Sequence, residues 1–233
     1  MSFFPDRALT NRDTPTPVPA DNPTVSEAEE PYASPLSESE ADPDPIAQFA
    51  AWFEDARAAG IRLPEAMVLA TARADGEPSA RFVLLNRFDE RGLVFFANYE
   101  SRKGRELAEN PCGALVFHWD PLGRQVRVEG PVERISAEES DSYFATRPRG
   151  ARLSAWASRQ SEVVDSREAL EARVAELSAE FPDDAVPRPP HWGGYRLTPE
   201  AIELWQHRED RLHDRLRYRR GGDGRWLIER LAP

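Results

Sequence analysis

The 233-residue chain contains a single cysteine, Cys112, and a single lysine, Lys103. One thiol excludes an internal disulfide and any metal cluster built on several cysteines, and no metal site is expected. Placed just ahead of an apolar strand, Cys112 reads as a buried packing residue. No apolar run approaches the roughly 18 residues that cross a bilayer. The N-terminus shows no basic-then-apolar signal pattern, so a cytoplasmic protein without a membrane partner is expected. The formal net charge of −11 argues against a nucleic-acid partner.

That charge is unevenly spread. Residues 1–45 carry ten acids against two arginines, which is −8 of the −11. Residues 1–44 are rich in Pro, Ser, Asp and Glu and have no apolar periodicity, the composition of a disordered tail. The folded domain is expected over 45–233. The 40% hydrophobic content and six Trp fit a globular core.

From residue 45 the pattern becomes regular. Pro45 suits the first helical position after Asp44 as cap, and Ile46, Phe49, Trp52, Phe53 and Ala56 mark one apolar face before Gly60. Strands are expected at 67–73 and 79–86 around a hairpin turn, then at 93–97, 114–119 and 125–130. A capping box at Ser136–Glu139 opens a helix that Pro148 ends, with Tyr143 and Arg147 on one face. A second helix begins near Asp165. After a Pro-rich loop, four further strands fall at 195–197, 202–205, 212–218 and 226–230. Many short strands with few helices predict a mainly β fold with flanking helices (α+β), a closed or partly closed antiparallel barrel.

One stretch stands apart. After the apolar run at 93–96, Ser101 is a good N-cap for a short helix that ends at Asn110-Pro111. Arg102 and Lys103 lie in its first turn, where the helix dipole already makes the potential positive. Two cations beside open backbone N–H groups point to a bound anion, typically a phosphate. In a chain that otherwise writes arginine for every cation, the lone ammonium marks a local requirement. An ordinary solvated helix start is the alternative.

Several motifs together resemble the pyridoxine/pyridoxamine 5'-phosphate oxidase family. They are Arg-Phe-Val-Leu-Leu at 81–85, Asn-Tyr-Glu-Ser-Arg-Lys-Gly-Arg-Glu-Leu at 98–107 and Arg-Gln-Val-Arg-Val-Glu-Gly at 124–130. Tyr-Phe-Ala-Thr-Arg-Pro at 143–148, Ala-Trp-Ala-Ser-Arg-Gln-Ser at 155–161 and Trp-Gly-Gly-Tyr at 192–195 continue the series. Glu-Leu-Trp-Gln at 203–206, Arg-Leu-His-Asp-Arg at 211–215 and the Arg-Leu-Ala-Pro end complete it. The resemblance covers about 45–233 in unbroken order. It implies a homodimeric split β-barrel that binds FMN at the subunit interface. It also implies hydride transfer from substrate to flavin N5 and reoxidation by O2 to H2O2.

Carried over, the cofactor set is Arg81, Phe82, Val83, Leu84, Phe96 and Ala97 around the ring system, with Arg102 and Lys103 on the phosphate. Gln125, Gln160, Ser161, Trp205 and Arg215 complete it. Tyr143 and Arg147 are implied for the small-molecule substrate, and Arg211 and His213 for catalysis. Read as alternating residues of one strand, Arg211 and His213 share a face and could together orient a substrate ring.

The departures all concern the substrate phosphate. Asn86 stands where the family motif ends in lysine, Ala151 where a serine follows Arg-Pro-Arg, and 27–32 is acidic where the family is basic. Arg149 or Arg152 could replace the missing lysine. Three functions therefore remain open: a tolerant pyridoxine/pyridoxamine 5'-phosphate oxidase, a relative that oxidises a non-phosphorylated reduced ring such as a dihydrophenazine, or a flavin-binding module without turnover.

Overall fold

The structure, a computed structural model, describes residues 35–233. Most of the expected tail lies outside the described residues. Its last ten residues do not behave as a tail. Leu36 and Ala41 are buried in the main core, and the Tyr218 hydroxyl donates to the Asp42 carbonyl at 2.8 Å. Two apolar anchors and the barrel's own polar groups hold a segment that composition alone assigns to solvent.

The helix α1 (Pro45–Ala58) starts as its sequence dictates, with the Asp44 carboxylate accepting from the Ile46 N–H at 2.9 Å. Its buried Phe49, Trp52 and Ala56 cover one end of the barrel core. Phe49 packs edge-on to Phe88, and Phe49 lies 5.1 Å from the Phe117 ring.

The strands are β1 (Ala66–Ala72), β2 (Pro78–Asp89), β3 (Gly92–Asn98), β4 (Cys112–Trp119) and β5 (Arg124–Arg134). After three helices come β6 (Trp192–Leu197), β7 (Ala201–Gln206), β8 (Asp214–Arg220) and β9 (Trp226–Arg230). Their order is β4-β1-β2-β3-β6-β5-β7-β8-β9, and an additional β4–β5 pairing closes the first six into a barrel. All pairings are antiparallel.

Strand β5 makes the barrel split. One edge pairs with β4 along its length, from Arg124 to Pro131. Its other edge serves two strands: Arg124–Glu129 pairs with β7, and Val132–Arg134 pairs with β6. At the switch, the Thr198 N–H donates to the Pro131 carbonyl at 2.9 Å and the Glu200 N–H to the Glu129 carbonyl at 2.8 Å. Gly130 sits between them, and a Cβ there would lie 2.0 Å from the Thr198 carbonyl oxygen.

Three helices bridge β5 and β6: α3 (Ala137–Thr146), α4 (Arg149–Ala157) and α5 (Arg167–Glu180). The sequence reading missed α4, taking Pro148 only as a terminator. Pro148 in fact ends α3 and leads directly into α4 as its cap residue, a position where proline's missing N–H costs nothing. The shorter helix α2 (Arg102–Glu109) joins β3 to β4.

Cys112 is exposed, not buried as expected. It shares strand parity with exposed His118, opposite the buried Leu115, Phe117 and Trp119. No helix of the described residues is long and apolar enough to cross a membrane.

Two glycine substitutions test the split. Gly130→Ala should lower unfolding free energy in urea by at least about 2 kcal/mol, because backbone must move. Gly222→Ala, with no atom within 4 Å of the new Cβ, should leave the midpoint unchanged or slightly raised. Equal behaviour of the two variants would show that the close approach at Gly130 carries no constraint.

Candidate active site

A cavity of about 930 Å³ opens between β2, the end of β3, the start of α2 and the helices α3 and α4. Its β2 wall is Arg81 to Asn86, and Phe96 and Ala97 of β3 adjoin it. Phe82 and Leu84 are 76% and 53% exposed, an apolar surface that no described residue covers.

The cationic end is built by a buried network. Glu106 of α2 is 2% exposed and accepts from Thr71 Oγ1 (2.5 Å), Ser79 Oγ (2.6 Å), Arg102 Nε (2.8 Å) and Arg81 Nη2 (3.3 Å). Burial alone would raise this carboxyl's pKa. The Ser79, Thr71 and Arg102 hydrogen bonds and the Arg81 charge outweigh burial and bring it down to about 2. Arg102 is paired a second time, to Glu77 at 3.0 Å.

Lys103 is different. It is 8% exposed, and among the described residues its ammonium donates only to the neutral Gln160 Oε1 (2.8 Å) and Ser101 Oγ (3.2 Å). Burial first, and then the Arg81 charge, lower its pKa to about 8. Ser101 also caps α2, accepting from the Gly104 N–H, while the Arg102 N–H donates to Ser161 Oγ at 3.1 Å. A desolvated cation without a carboxylate, beside a helix start, is an anion site in waiting.

At the far side, Phe96, Tyr143 and Trp192 stack nearly parallel, with Phe96 4.0 Å from Tyr143 and 5.2 Å from Trp192. Arg147 lies over the Trp192 ring at 4.6 Å, and its buried Nη1 has no hydrogen-bond partner among the described residues. Burial lowers the Arg147 pKa, partly offset by Tyr143. A planar ring system and a second anion are the ligands such walls suit.

The comparisons with known proteins agree with one another. Residues 53–180 match the family described as pyridoxamine 5'-phosphate oxidase, and residues 192–233 match the pyridoxine 5'-phosphate oxidase C-terminal dimerisation region. This chain belongs to the pyridoxine/pyridoxamine 5'-phosphate oxidase family. A relative of that name from Rubrobacter xylanophilus is 63% identical over 198 residues, covering 85% of this chain and 91% of the relative. Another from Paraburkholderia phymatum is 58% identical over 198 residues, covering 85% and 93%. Among solved structures, PhzG from Burkholderia lata 383, in complex with tetrahydrophenazine-1-carboxylic acid, is similar with TM-score 0.82 and 36% identity. That match covers 88% of this chain and 100% of the other. An FMN-binding, pyridoxamine 5'-phosphate oxidase-related protein of Nostoc punctiforme shares the fold at TM-score 0.65 and 18% identity, covering 86% and 100%.

Within this family member, the expected site residues fall into two groups. Arg81, Phe82, Val83, Leu84, Asn86, Phe96, Ala97, Arg102, Lys103, Tyr143, Arg147, Ala151, Gln160 and Ser161 all line the cavity. Gln125, Trp205, Arg215, Arg211 and His213 do not line it. They gather instead on the C-terminal sheet, where Gln125 pairs with Trp205, Trp205 pairs with Arg215, and the His213 ring lies 4.6 Å from Trp205.

The strand argument for Arg211 and His213 fails. β8 begins only at Asp214, and residues Glu209–Arg211 form a 3-10 turn with Asp210 at φ 53° and Arg211 at φ 60°. Left-handed backbone at two consecutive non-glycine residues breaks the strand alternation. The candidates to replace the missing lysine fail too. Arg149 is turned to Ser178 and the Phe181 carbonyl, and Arg152 to Asp184. Conversely, Thr71, Ser79 and Glu106 were not singled out. Their signal was available, since Thr71 is a buried polar residue at the strand parity of core residues Met67 and Leu69.

Lys103 gives a stability test. Its folded pKa of about 8 lies below the ordinary lysine value of 10.5, so the unfolded chain binds more protons between those values. The burial penalty is therefore full below about pH 8 and fades toward pH 10.5. Relative to Lys103→Met, the ligand-free wild type should gain up to roughly 3 kcal/mol in urea unfolding from pH 7 to 10.5. A difference that stays flat across that range would show the ammonium to be already compensated.

Proposed function

We propose that the protein is an FMN-dependent oxidase of pyridoxine or pyridoxamine 5'-phosphate that works as a homodimer. The observation that carries this reading is the pair of unmatched cations in one cavity. Among the described residues Lys103 meets no carboxylate, and Arg147 has a buried nitrogen with no hydrogen-bond partner. Two separate anions, one of a cofactor and one of a substrate, would satisfy them.

The residues present fit FMN. Lys103, Arg102, Gln160 and Ser161 would hold its phosphate at the start of α2, and Arg81 to Leu84 with Phe96 and Ala97 would border its rings. When bound, FMN would supply the hydride acceptor, with O2 as the final oxidant and H2O2 as its product. The protein's own part is to place the substrate and exclude water. Arg147 would take the acid group of the substrate, held in direction by the Trp192 ring.

A homodimer accounts for the second group. Gln125, Trp205 and Arg215, with Arg211 and His213, lie in or beside the C-terminal sheet and would complete the cavity of a second copy. The apolar Phe82 and Leu84 surface and the match to a dimerisation region support this arrangement. Nδ1 of His213 accepts from the Arg208 N–H at 3.1 Å, so the neutral ring carries its proton on Nε2. Burial, then His207 and Arg211, lower its pKa and favour that neutral form. His213 would thus donate a hydrogen bond to the substrate while Arg211 steadies developing charge.

A second reading has its own support. Asn86 and Ala151 leave Arg147 without the lysine and serine of the family pattern, and Arg149 and Arg152 do not replace them. A carboxylated, non-phosphorylated reduced ring, as in the PhzG complex, would need fewer donors.

Purified protein should be yellow and dimeric, and Lys103→Ala should raise the FMN Kd roughly ten- to hundredfold, the loss of one charge-assisted contact. Peroxide release with pyridoxine 5'-phosphate, pyridoxine and a reduced tricyclic carboxylate separates the readings. Arg147→Met should raise KM for the phosphorylated substrate with little change in FMN affinity, and Asn86→Lys should lower that KM. Turnover of the tricyclic compound alone would replace the first reading with the second. A protein that takes up no FMN would sink both.

A further inference from the structure

The docked segment and the loop of Arg211 and His213 meet at a single carboxylate. Asp214 Oδ2 accepts from the Leu36 N–H at 3.1 Å and from Arg208 Nε at 2.7 Å, while Oδ1 accepts from Arg230 Nη1 at 2.8 Å. Its side chain is only 16% exposed. Arg230 reaches back to the same segment, donating to the Leu36 carbonyl at 2.9 Å and pairing with the Glu38 carboxylate at 2.7 Å. Leu36 itself is buried against the main core.

On the other side, Asp214 holds the side chain of Arg208, whose backbone N–H donates to His213 Nδ1. Between Arg208 and His213 the chain turns through Asp210 and Arg211, both left-handed. Such a turn persists only where its ends are held. Asp214 holds one end by sequence and the other through Arg208.

We propose that Asp214 is a positioning residue that couples docking of residues 36–38 to the orientation of His213. When the segment is seated, Leu36 and Arg230 fix the carboxylate, the carboxylate fixes Arg208, and the Arg208 N–H selects the Nε2–H tautomer of His213. When the segment is released, Asp214 loses one donor and its Arg230 clamp loosens. The His213 ring then loses its fixed partner. The inference rests on the reading of His213 as a substrate-contacting group, but its structural half stands apart from that reading.

The test uses the full-length chain with histidine ring nitrogens labelled for NMR, the His213 signals being assigned by comparison with His213→Gln. Wild type should show His213 as a single Nε2–H tautomer at neutral pH. Asp214→Asn and Leu36→Ser should each give a mixture of tautomers and lower kcat about tenfold, the size of a small misplacement. FMN Kd should stay within about twofold, since neither residue belongs to the proposed cofactor set. The double variant should be no worse than the poorer single one, the mark of a shared chain of contacts. If Asp214→Asn does not fold, Arg230→Met combined with Leu36→Pro removes both ties between segment and carboxylate, the Arg230 clamp and the Leu36 N–H, while leaving Arg208 paired, and should give the same mixture. A single unchanged tautomer in these variants, or losses that multiply, would overturn the coupling. Failure of wild type to bind FMN or turn over would instead strike the proposed function, and the tautomer measurement would still decide the coupling.

Discussion

Strand β5 has to satisfy three neighbours with two edges. Its hydrogen-bonding groups cannot serve β6 and β7 at the same residues, so one edge is divided at Gly130 and Pro131. Up to Glu129 it belongs to the C-terminal sheet, and from Val132 it closes the barrel. This division separates two surfaces of one chain. The cavity opens on the β2 and β3 side, while Trp205 lies on β7, Arg215 on β8 and His213 just before β8. The two groups of expected site residues are apart within one chain for that reason.

The second constraint is electrostatic. Three cations crowd the start of α2, and a single buried carboxylate, Glu106, serves two of them. Its four donors come from β1, β2 and α2, so it ties the charge arrangement to the barrel wall. Arg81 and Arg102 are thereby matched and oriented, and the mismatch concentrates on Lys103. A buried ammonium that meets only neutral oxygens is costly. Two neutral oxygens, of Gln160 and Ser101, offset part of that cost. Arg147 repeats the pattern across the cavity, with an aromatic ring in place of a carboxylate.

Strain is placed elsewhere. Asp210 and Arg211 adopt backbone that costs roughly 1–3 kcal/mol per residue, and they precede His213. The neighbouring Arg208–Asp214 pair is mostly shielded from solvent, which makes it stronger than a surface pair, whereas Arg230 joins it from the exposed side. A docked N-terminal segment is part of that framework, although its composition reads as tail.

Much was legible from residues alone. Asp44, Ser101 and Ser136 cap their helices as read because capping is local chemistry between neighbours in the chain, and the third such serine, Ser166, caps α5 one residue after the expected Asp165. The barrel strands followed from alternation, and the crowding of Arg102 and Lys103 at one wall of the cavity from their place in a first helical turn. What the chain order could not reveal depended on contacts between distant residues. Segment 35–44 is ordered by Tyr218 and Arg230, nearly two hundred positions away. Arg149 and Arg152 were drawn off by α5 and the loop after it, and Glu106 found its donors on β1 and β2. Local preference sets caps, turns and strand faces, whereas the partner of a buried charge is chosen by whichever element the fold brings alongside.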